Sequence, residues 1–441
     1  MFFNSPEFVG FFLVISVIFV TTNRDRTLPI RNFFLLVASY WFYAQLHVWF
    51  IALLAYTTLV NYLCGLWISR RQMQGKTGKT AVTAAILLSL AQLAFFKYAY
   101  LAVPSILLPV GLSFFTFQAL TYTLDIYRQK IQADRNLLNV ALFVAFFPTL
   151  LSGPIERARN LMPQFRQKTI LNWENFTTGA GLFVWGLFKK VVIADRLAEY
   201  VNMAYFAPEG QTGATLALAA VLYSFQIYCD FSGYADMAIA CGRILGFNLM
   251  QNFNFPYCVN TIKEFWRRWH ISLTSWFTEY VYISMGGNRV SQWRWILNIS
   301  TVFLLSGIWH GATWTFVIWG GLHAVFYLIE RFYGPKHPGT AWHILVFMAV
   351  ALAWIFFRAP DCKTAWLIIT KICTDLFTPI SLGSSTFSTL LTICLLVTFL
   401  VREYLLYKRP QSRRSPAEYV ILVLCICLFG VSSDQFVYFQ F

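Results

Sequence analysis

The chain has 441 residues, of which 58% are hydrophobic and only 12% are charged, and its formal net charge is +15. Its mean hydropathy is +0.57. Soluble domains carry about 25% charged residues, so this composition excludes a soluble globular protein and predicts an integral membrane protein that crosses the bilayer many times. So apolar a chain also excludes a nucleic-acid-binding function.

Apolar stretches recur along the whole chain. Counted at about 20 residues per crossing, they predict an all-α, polytopic protein with roughly 10–12 transmembrane or partly spanning helices. Because no internal repeat or low-complexity linker interrupts them, we expect a single integral-membrane domain over residues 1–441. The predicted helices lie near residues 8–20, 32–44, 46–69, 80–96, 112–127, 137–152, 176–197, 213–230, 295–309, 311–333, 341–358, 386–401 and 417–432.

Most positive charges fall in four loops between these stretches. Lys and Arg are enriched in short cytoplasmic loops, so the first interpretation of the charge is topological. A second is that the loops attract an anionic cytosolic substrate. The basic loop residues are Arg70, Arg71, Lys76 and Lys79; Arg128, Lys130 and Arg135; Arg157, Arg159, Arg166 and Lys168; and Lys408, Arg409, Arg413 and Arg414.

The nine cysteines are scattered and form no C-x-x-C pair or Cys/His cluster. We interpret them as small apolar packing residues. No metal-ligand spacing stands out, so no metal site is expected.

Asp230 and Asp236 lie at the end of the helix predicted near residues 213–230. Helix capping and pairing with cytoplasmic Arg or Lys is the first interpretation. A role in positioning an active site is the alternative.

Residues 264–282 alternate polar and aromatic side chains at helical spacing, which predicts an amphipathic helix at the membrane interface. His270 and two arginines lie off the apolar stripe. Such a helix anchors the protein at the surface, or it lines the entry of a polar site. The stripe consists of Phe265, Trp269, Leu273, Trp276 and Tyr280.

His310 lies inside the apolar run from Ser306 to His323. Ionisable groups at membrane depth are functional candidates, and histidine is suited to moving protons near neutral pH. The other interpretation is a histidine that only hydrogen-bonds a neighbouring helix or lies at the headgroup level.

The C-terminal segment 415–441 begins with the capping box Ser415–Glu418 and continues as an apolar helix to about Val431. It follows a basic loop, so we expect the chain to end near the extracytoplasmic side. The aromatic tail Phe436–Phe441 is either an interfacial belt or a segment that folds back and carries Tyr438 to a site.

Four stretches together make the chain similar to the membrane-bound O-acyltransferase (MBOAT) family, in particular its bacterial alginate and peptidoglycan O-acetyltransferase branch. The motif core covers about residues 100–330. The stretches are GLSFFTFQ (111–118), DFSGYADM (230–237), FWRRWHISL (265–273) and GIWHG (307–311).

The resemblance implies that His310 is the catalytic histidine and that His270 is also important. It further implies that Tyr438, within a tail matching Phe-x-Tyr-x-x-Phe, accepts the acyl group before handing it on. The implied enzyme is a multi-pass O-acetyltransferase of the bacterial inner membrane, with helices around a central tunnel. Acetyl-CoA is the implied cytosolic donor, held by residues the sequence does not identify, and a periplasmic serine esterase-like O-acetyltransferase is the implied partner.

Peptidoglycan is the acceptor we expect, because the chain ends soon after its C-terminal helix. O-acetylation of alginate or another exopolysaccharide, and D-alanyl or lipid acyl transfer, are the alternatives within the family. An anion transporter with His310 as a proton relay, or a scaffold for glycan enzymes, are the non-enzymatic alternatives.

Overall fold

The computed structural model describes residues 1–102, 109–335, 338–383, 385–409 and 414–431. Throughout these ranges the chain is helical and contains no strand, which confirms the predicted all-α class. The first half contains α1 (Pro6–Thr22), α2 (Leu28–Ala44), α3 (Phe50–Met73), α4 (Lys79–Ala102), α5 (Leu112–Tyr127), α6 (Leu137–Ala145), α7 (Phe147–Leu150), α8 (Ala158–Phe165), α9 (Trp173–Phe188) and α10 (Asp195–Phe206). The second half contains α11 (Gly213–Ile244), α12 (Ile262–Arg268), α13 (Ile271–Trp276), α14 (Gln292–His310), α15 (Trp314–Tyr333), α16 (Thr340–Arg358), α17 (Cys362–Thr374), α18 (Thr386–Lys408) and α19 (Pro416–Phe429).

Six helical segments in the described ranges are long and apolar enough to cross a membrane. They are α3, α4, the continuous segment of α9 and α10, α11, α16 and α18. The pair α1 and α2, bent by 117°, would add a seventh if it forms one span. The other described helices are shorter or less apolar, so six or seven of the roughly 10–12 transmembrane or partly spanning helices expected have the length and composition of full spans.

The chain forms two compact units, and the single-domain organisation stays a prediction. The first unit comprises residues 1–183 and 234–251, and the second comprises residues 184–233 and 252–441.

In the first unit, the rings of Phe8, Phe42 and Phe147 pack against one another with centroids 6.0–6.4 Å apart. Buried rings of this kind supply much of the apolar area that holds helices together.

A buried arginine ties α2 to the segment after α8. The Arg31 guanidinium donates to the carbonyl oxygens of Phe165 at 2.8 Å and Gln167 at 3.0 Å. It also donates to the side-chain oxygens of Asn23 and Asn32. A buried charge is tolerated when its donors are satisfied in this way.

The stretch 111–118 has a structural role in the first unit. Gly111 is the N-cap residue just before α5 and has φ +79°. A Cβ on it would lie 2.5 Å from the Leu150 carbonyl oxygen. At the other end of the stretch, Gln118 donates to the Phe143 carbonyl and accepts the backbone N–H of Glu156. The glycine and the glutamine therefore fix α5 against the chain between α6 and α8.

Three predicted helices differ most from the structure. The helix predicted near residues 137–152 is divided at Phe146 into α6 and α7. The helix predicted near residues 213–230 continues to Ile244, so Asp230 and Asp236 lie within it and do not end it. The predicted continuous helix 264–282 is broken after Arg268, and His270 lies at the break. Its apolar stripe is nevertheless buried, from Phe265 to Tyr280, because tertiary packing of the aromatic side chains persists across the break.

We expect Gly111→Ala to destabilise the protein by about 2–4 kcal/mol, because a left-handed residue with a side chain is strained and the added methyl overlaps a carbonyl. The loss is measured as a lower thermal unfolding temperature in detergent. Gly75→Ala is the matched control, since Gly75 also has positive φ (+70°) but its Cβ would meet open space. Equal losses in both variants would show that the contact with Leu150 carries no energy.

Candidate active site

Two helices of the second unit meet at glycines. A Cβ on Gly307 of α14 would overlap the Phe316 carbonyl, and a Cβ on Gly320 of α15 would overlap the Phe303 carbonyl. Small residues allow helix backbones to approach this closely. The crossing of α14 and α15 therefore determines which side chains of α15 pack against the last turn of α14.

His310 is the last residue of α14 and is 5% exposed. Its ring lies edge-on to three aromatic rings, with centroids 4.7 Å away at Trp309, 5.0 Å at Trp319 and 5.2 Å at Phe357. Trp319 belongs to α15 and Phe357 to α16, so three helices enclose the imidazole in an apolar setting. Such a setting strengthens the electrostatic interactions that the ring makes.

His270 lies at the break between α12 and α13 with φ +42° and ψ +54°. A residue other than glycine in this left-handed region is uncommon and costs backbone energy. Asn252 stabilises the arrangement, since its carbonyl oxygen accepts the N–H of Ile271 at 2.8 Å. Its side-chain oxygen lies 3.0 Å from Nδ1 of His270. The strained turn therefore holds the imidazole in one orientation.

The same contacts determine which nitrogen of His270 carries the proton. Asn252 Oδ1 also accepts from the hydroxyl of Ser272 at 2.9 Å and from its backbone N–H at 3.3 Å, which identifies this atom as oxygen. Nδ1 of His270 must therefore donate to it, and Nε2 carries the lone pair. His270 lies outside the candidate spans and is 1% exposed. Burial lowers its pKa to about 3, so the ring is a neutral imidazole at physiological pH.

Trp309 connects the two histidines. Its ring centroid lies 6.3 Å from that of His270 and 4.7 Å from that of His310. On its other side, the His270 ring packs edge-on against Phe231 of α11 at 4.7 Å. The structure thus brings His270 and His310 to the same aromatic cluster, although they are forty residues apart in sequence.

A buried ion triad, which the sequence pattern did not predict, anchors the turn of α11 that carries Phe231. Lys190 Nζ lies 2.7 Å from Asp195 Oδ1 and 2.8 Å from Asp230 Oδ1, and all three side chains are buried. Lys190 belongs to a π-helical turn, Lys189–Ala194, between α9 and α10. Two adjacent lysines in an apolar run were the signal, because a buried charge needs a partner of opposite sign. Asp230 pairs, as the first interpretation held, but with this buried lysine.

Helix α15 also positions the segment that carries His270. The Glu330 carboxylate accepts the N–H groups of Ile262 and Lys263 at the start of α12. The Trp266 indole N–H donates to Nδ1 of His323 at 3.3 Å. One helix therefore contacts both histidine-bearing segments.

Tyr438 lies outside the described residues. The chain before it is fixed at two points, where Arg196 Nε donates to the Phe429 carbonyl at 2.7 Å and the Val431 N–H donates to the Val191 carbonyl at 2.9 Å. Val431, the last described residue, therefore lies beside the π-helical turn of Lys190. Within the described ranges, no group of three or more His, Cys, Asp or Glu side chains could hold a metal ion.

Comparison with known proteins places this geometry in a family context. The model of MBOAT, the membrane-bound O-acyltransferase family, matches residues 35–357, which include both His270 and His310. A protein of Azotobacter vinelandii named "Probable alginate O-acetylase AlgI" is 39% identical over 387 residues, covering 83% of this chain and 77% of its own. The protein of the same name from Pseudomonas aeruginosa is also 39% identical over 387 residues, covering 83% and 74%. The peptidoglycan O-acetyltransferase of Helicobacter pylori is 34% identical over 417 residues, covering 83% and 79%.

The buried His270 predicts how stability depends on pH. Its folded pKa of about 3 is below the ordinary 6.5, so the unfolded chain binds the proton first. Stability is therefore complete above pH 6.5 and is lost as the pH falls towards 3. Lowering the pH from 7 to 5 therefore reduces the free energy of unfolding by about 1–2 kcal/mol through this histidine.

We expect His270→Gln, whose amide can still donate to Asn252, to flatten the fall in thermal unfolding temperature over this pH range. The half-buried His343 lies in the same unit, and its imidazole is 2.5 Å from the Val259 carbonyl oxygen. His343→Gln serves as the control for a general histidine effect. An unchanged pH profile in His270→Gln would contradict a neutral buried imidazole.

Proposed function

Because the chain belongs to the membrane-bound O-acyltransferase family, we propose that it takes acetyl from cytosolic acetyl-CoA and passes it across the membrane for O-acetylation of an extracytoplasmic glycan. The observation that carries the proposal is the cluster in which Trp309 contacts both His270 and His310. Two imidazoles in one enclosed cluster suit acyl transfer to a hydroxyl, which needs a proton removed and later delivered.

His310 acts as the general base in this proposal. The acceptor oxygen attacks the thioester carbonyl carbon while its proton passes to His310. The C–S bond then breaks, and the departing CoA thiolate takes the proton from the imidazolium. An acetyl ester and CoA with a free thiol are the products, and His310 is regenerated.

His270 is the second imidazole of the cluster. Its Nε2 lone pair, fixed by the donation of Nδ1 to Asn252, can accept a hydrogen bond from the acceptor hydroxyl and orient it without any change of ring orientation. Holding a ring in one tautomer is how a neighbouring oxygen prepares a histidine for acid–base work.

Tyr438 is the proposed first acceptor. A free tyrosine hydroxyl has a pKa of about 10, so assistance by a base is required near pH 7. It lies seven positions after Val431, which bounds its reach to about 23–25 Å from that anchor. A chain of contacts links this anchor to the histidine cluster. Val191, which accepts the Val431 N–H, adjoins Lys190, and Lys190 pairs with Asp230. The residue after Asp230, Phe231, packs on His270.

Labelled acetyl-CoA tests the relay directly. We expect the purified protein to acquire an acetyl group on Tyr438, detected by mass spectrometry of the C-terminal peptide. Tyr438→Phe should lose all label from that peptide because it lacks the accepting hydroxyl. His310→Ala should lower the labelling rate by about 10²–10⁴-fold, the contribution of a general base.

Tyr419→Phe is the matched control, since it removes the same hydroxyl group from α19. Label that persists on the tail of Tyr438→Phe would exclude Tyr438 as the acceptor. CoA release that depends on His310 but leaves no label on the tail would keep the acyltransferase and move the acceptor to another molecule.

The names of the relatives support a choice of final acceptor. Those named for alginate are more identical to this chain than the one named for peptidoglycan, so alginate, or a polysaccharide like it, is the acceptor these matches favour. Peptidoglycan, the acceptor expected from the sequence, is the second candidate, since the relative named for it is 34% identical and covers the same 83% of this chain. Either glycan lies outside the bacterial inner membrane. A periplasmic serine esterase-like partner then takes acetyl from the phenolic ester, which is a reactive donor.

Complementation separates the two acceptors. The chain is expressed in an alginate-producing bacterium that lacks its own membrane O-acetylase, and ester-linked acetate is measured on alginate and on muropeptides. We expect acetate to return to alginate, with His310→Ala as the inactive control. Acetate on muropeptides alone would assign the chain to peptidoglycan, and acetate on neither would contradict both assignments.

A further inference from the structure

Two buried N–H groups on α15 have no hydrogen-bond acceptor among the described residues. They are the indole Nε1 of Trp319 and the imidazole Nε2 of His323. Trp319 is 1% exposed and His323 is 0% exposed. Buried donors in folded proteins are nearly always paired, so two of them in successive turns of one helix require an explanation.

The protonation of His323 follows from its neighbour. The Trp266 indole can only donate, and it donates to Nδ1 of His323 at 3.3 Å. Nδ1 must therefore be the unprotonated nitrogen, and Nε2 carries the hydrogen. His323 is thus a neutral imidazole that presents one N–H donor.

One donor borders His310 directly, and the other borders the first. The Trp319 ring lies edge-on to His310 with centroids 5.0 Å apart, and edge-on to His323 with centroids 5.1 Å apart. Positions i and i+4 share one face of a helix. Trp354 belongs to the same cluster, but its indole N–H has an acceptor, since it donates to the Tyr257 hydroxyl at 3.2 Å.

We propose that Trp319 and His323 donate hydrogen bonds to the carbonyl oxygen of the acyl group as it is transferred. This inference rests on the proposed function. When the acceptor oxygen bonds to the carbonyl carbon, the carbonyl electron pair moves onto its oxygen and the acceptor proton moves to His310. The two N–H groups stabilise that oxyanion. The pair then returns, the C–S bond breaks, and the CoA thiolate takes the proton from His310.

An acyl oxygen fits these donors better than other occupants do. The two donors offer hydrogen and no lone pair, so they select an acceptor atom, and the surrounding rings exclude bulk water. Donors fixed before the reaction stabilise developing charge most strongly in such a dry site. A trapped water, or an amide carbonyl of the pantetheine arm, is another acceptor that the experiment distinguishes.

The experiment measures kcat and KM for acetyl-CoA with the full-length protein, following CoA release. Trp319→Phe removes the N–H and keeps a ring, and we expect kcat to fall on the order of 10²-fold with KM little changed. His323→Phe should do the same, whereas His323→Gln, whose amide both accepts from Trp266 and donates, should recover most of the activity. Trp354→Phe is the matched control and should keep kcat within a few-fold of the parent.

Each other result overturns the proposal. Unchanged kcat in Trp319→Phe and His323→Phe would assign these donors to a trapped water. A rise in KM alone would assign them to the pantetheine arm. An equal loss in Trp354→Phe, or a matching fall in unfolding temperature, would reduce the effect to packing. His310→Ala is measured alongside these variants. If it loses activity while the donor variants do not behave as expected, the proposed function stands and only the donor pair fails. If His310→Ala retains activity, the proposed function itself fails.

Discussion

The direct contact between α14 and α15 is the constraint on which the second unit depends. Gly307 and Gly320 let the two backbones touch at the Phe316 and Phe303 carbonyls. Because lipid offers no hydrophobic force between helices, close van der Waals contact of this kind is what holds them together. The crossing sets His310 against Trp319, and through Glu330 and His323 the same helix α15 fixes the start of α12. A side chain at either glycine would separate all of these groups at once.

The buried lysines of the π-helical turn Lys189–Ala194 each have a partner. Lys190 lies between two aspartates, and the neighbouring Lys189 donates to Ser232 at 2.8 Å. Removing one member of a buried pair costs far more than the pair contributes. We therefore interpret the triad as a positioning device. It anchors α11 at Asp230, next to Phe231, whose ring packs on His270.

The sequence predicted what depends on composition and local pattern. It identified the all-α membrane class, the helix start at Ser415, whose hydroxyl accepts the Glu418 N–H, and the apolar stripe through Trp269, which the structure buries. It did not predict the break at His270, because the strained turn is stabilised by Asn252, eighteen residues earlier. Helical periodicity carries no record of such a distant contact. Lys190 was missed for the same reason, since its pairing with Asp230 exists only in the folded unit.

The buried Arg31 has a consequence for the order in which the protein is made. Its guanidinium finds local partners in Asn23 and Asn32, but the carbonyl of Phe165 lies 134 residues later in the chain. At 5–20 residues per second, the ribosome needs roughly 7–27 s to produce that partner. During this interval α2 carries a positive charge whose final acceptors do not yet exist, and a buried charge without its partners is costly. The N-terminal helices therefore stay incomplete until the end of α8 and the residues after it have been made.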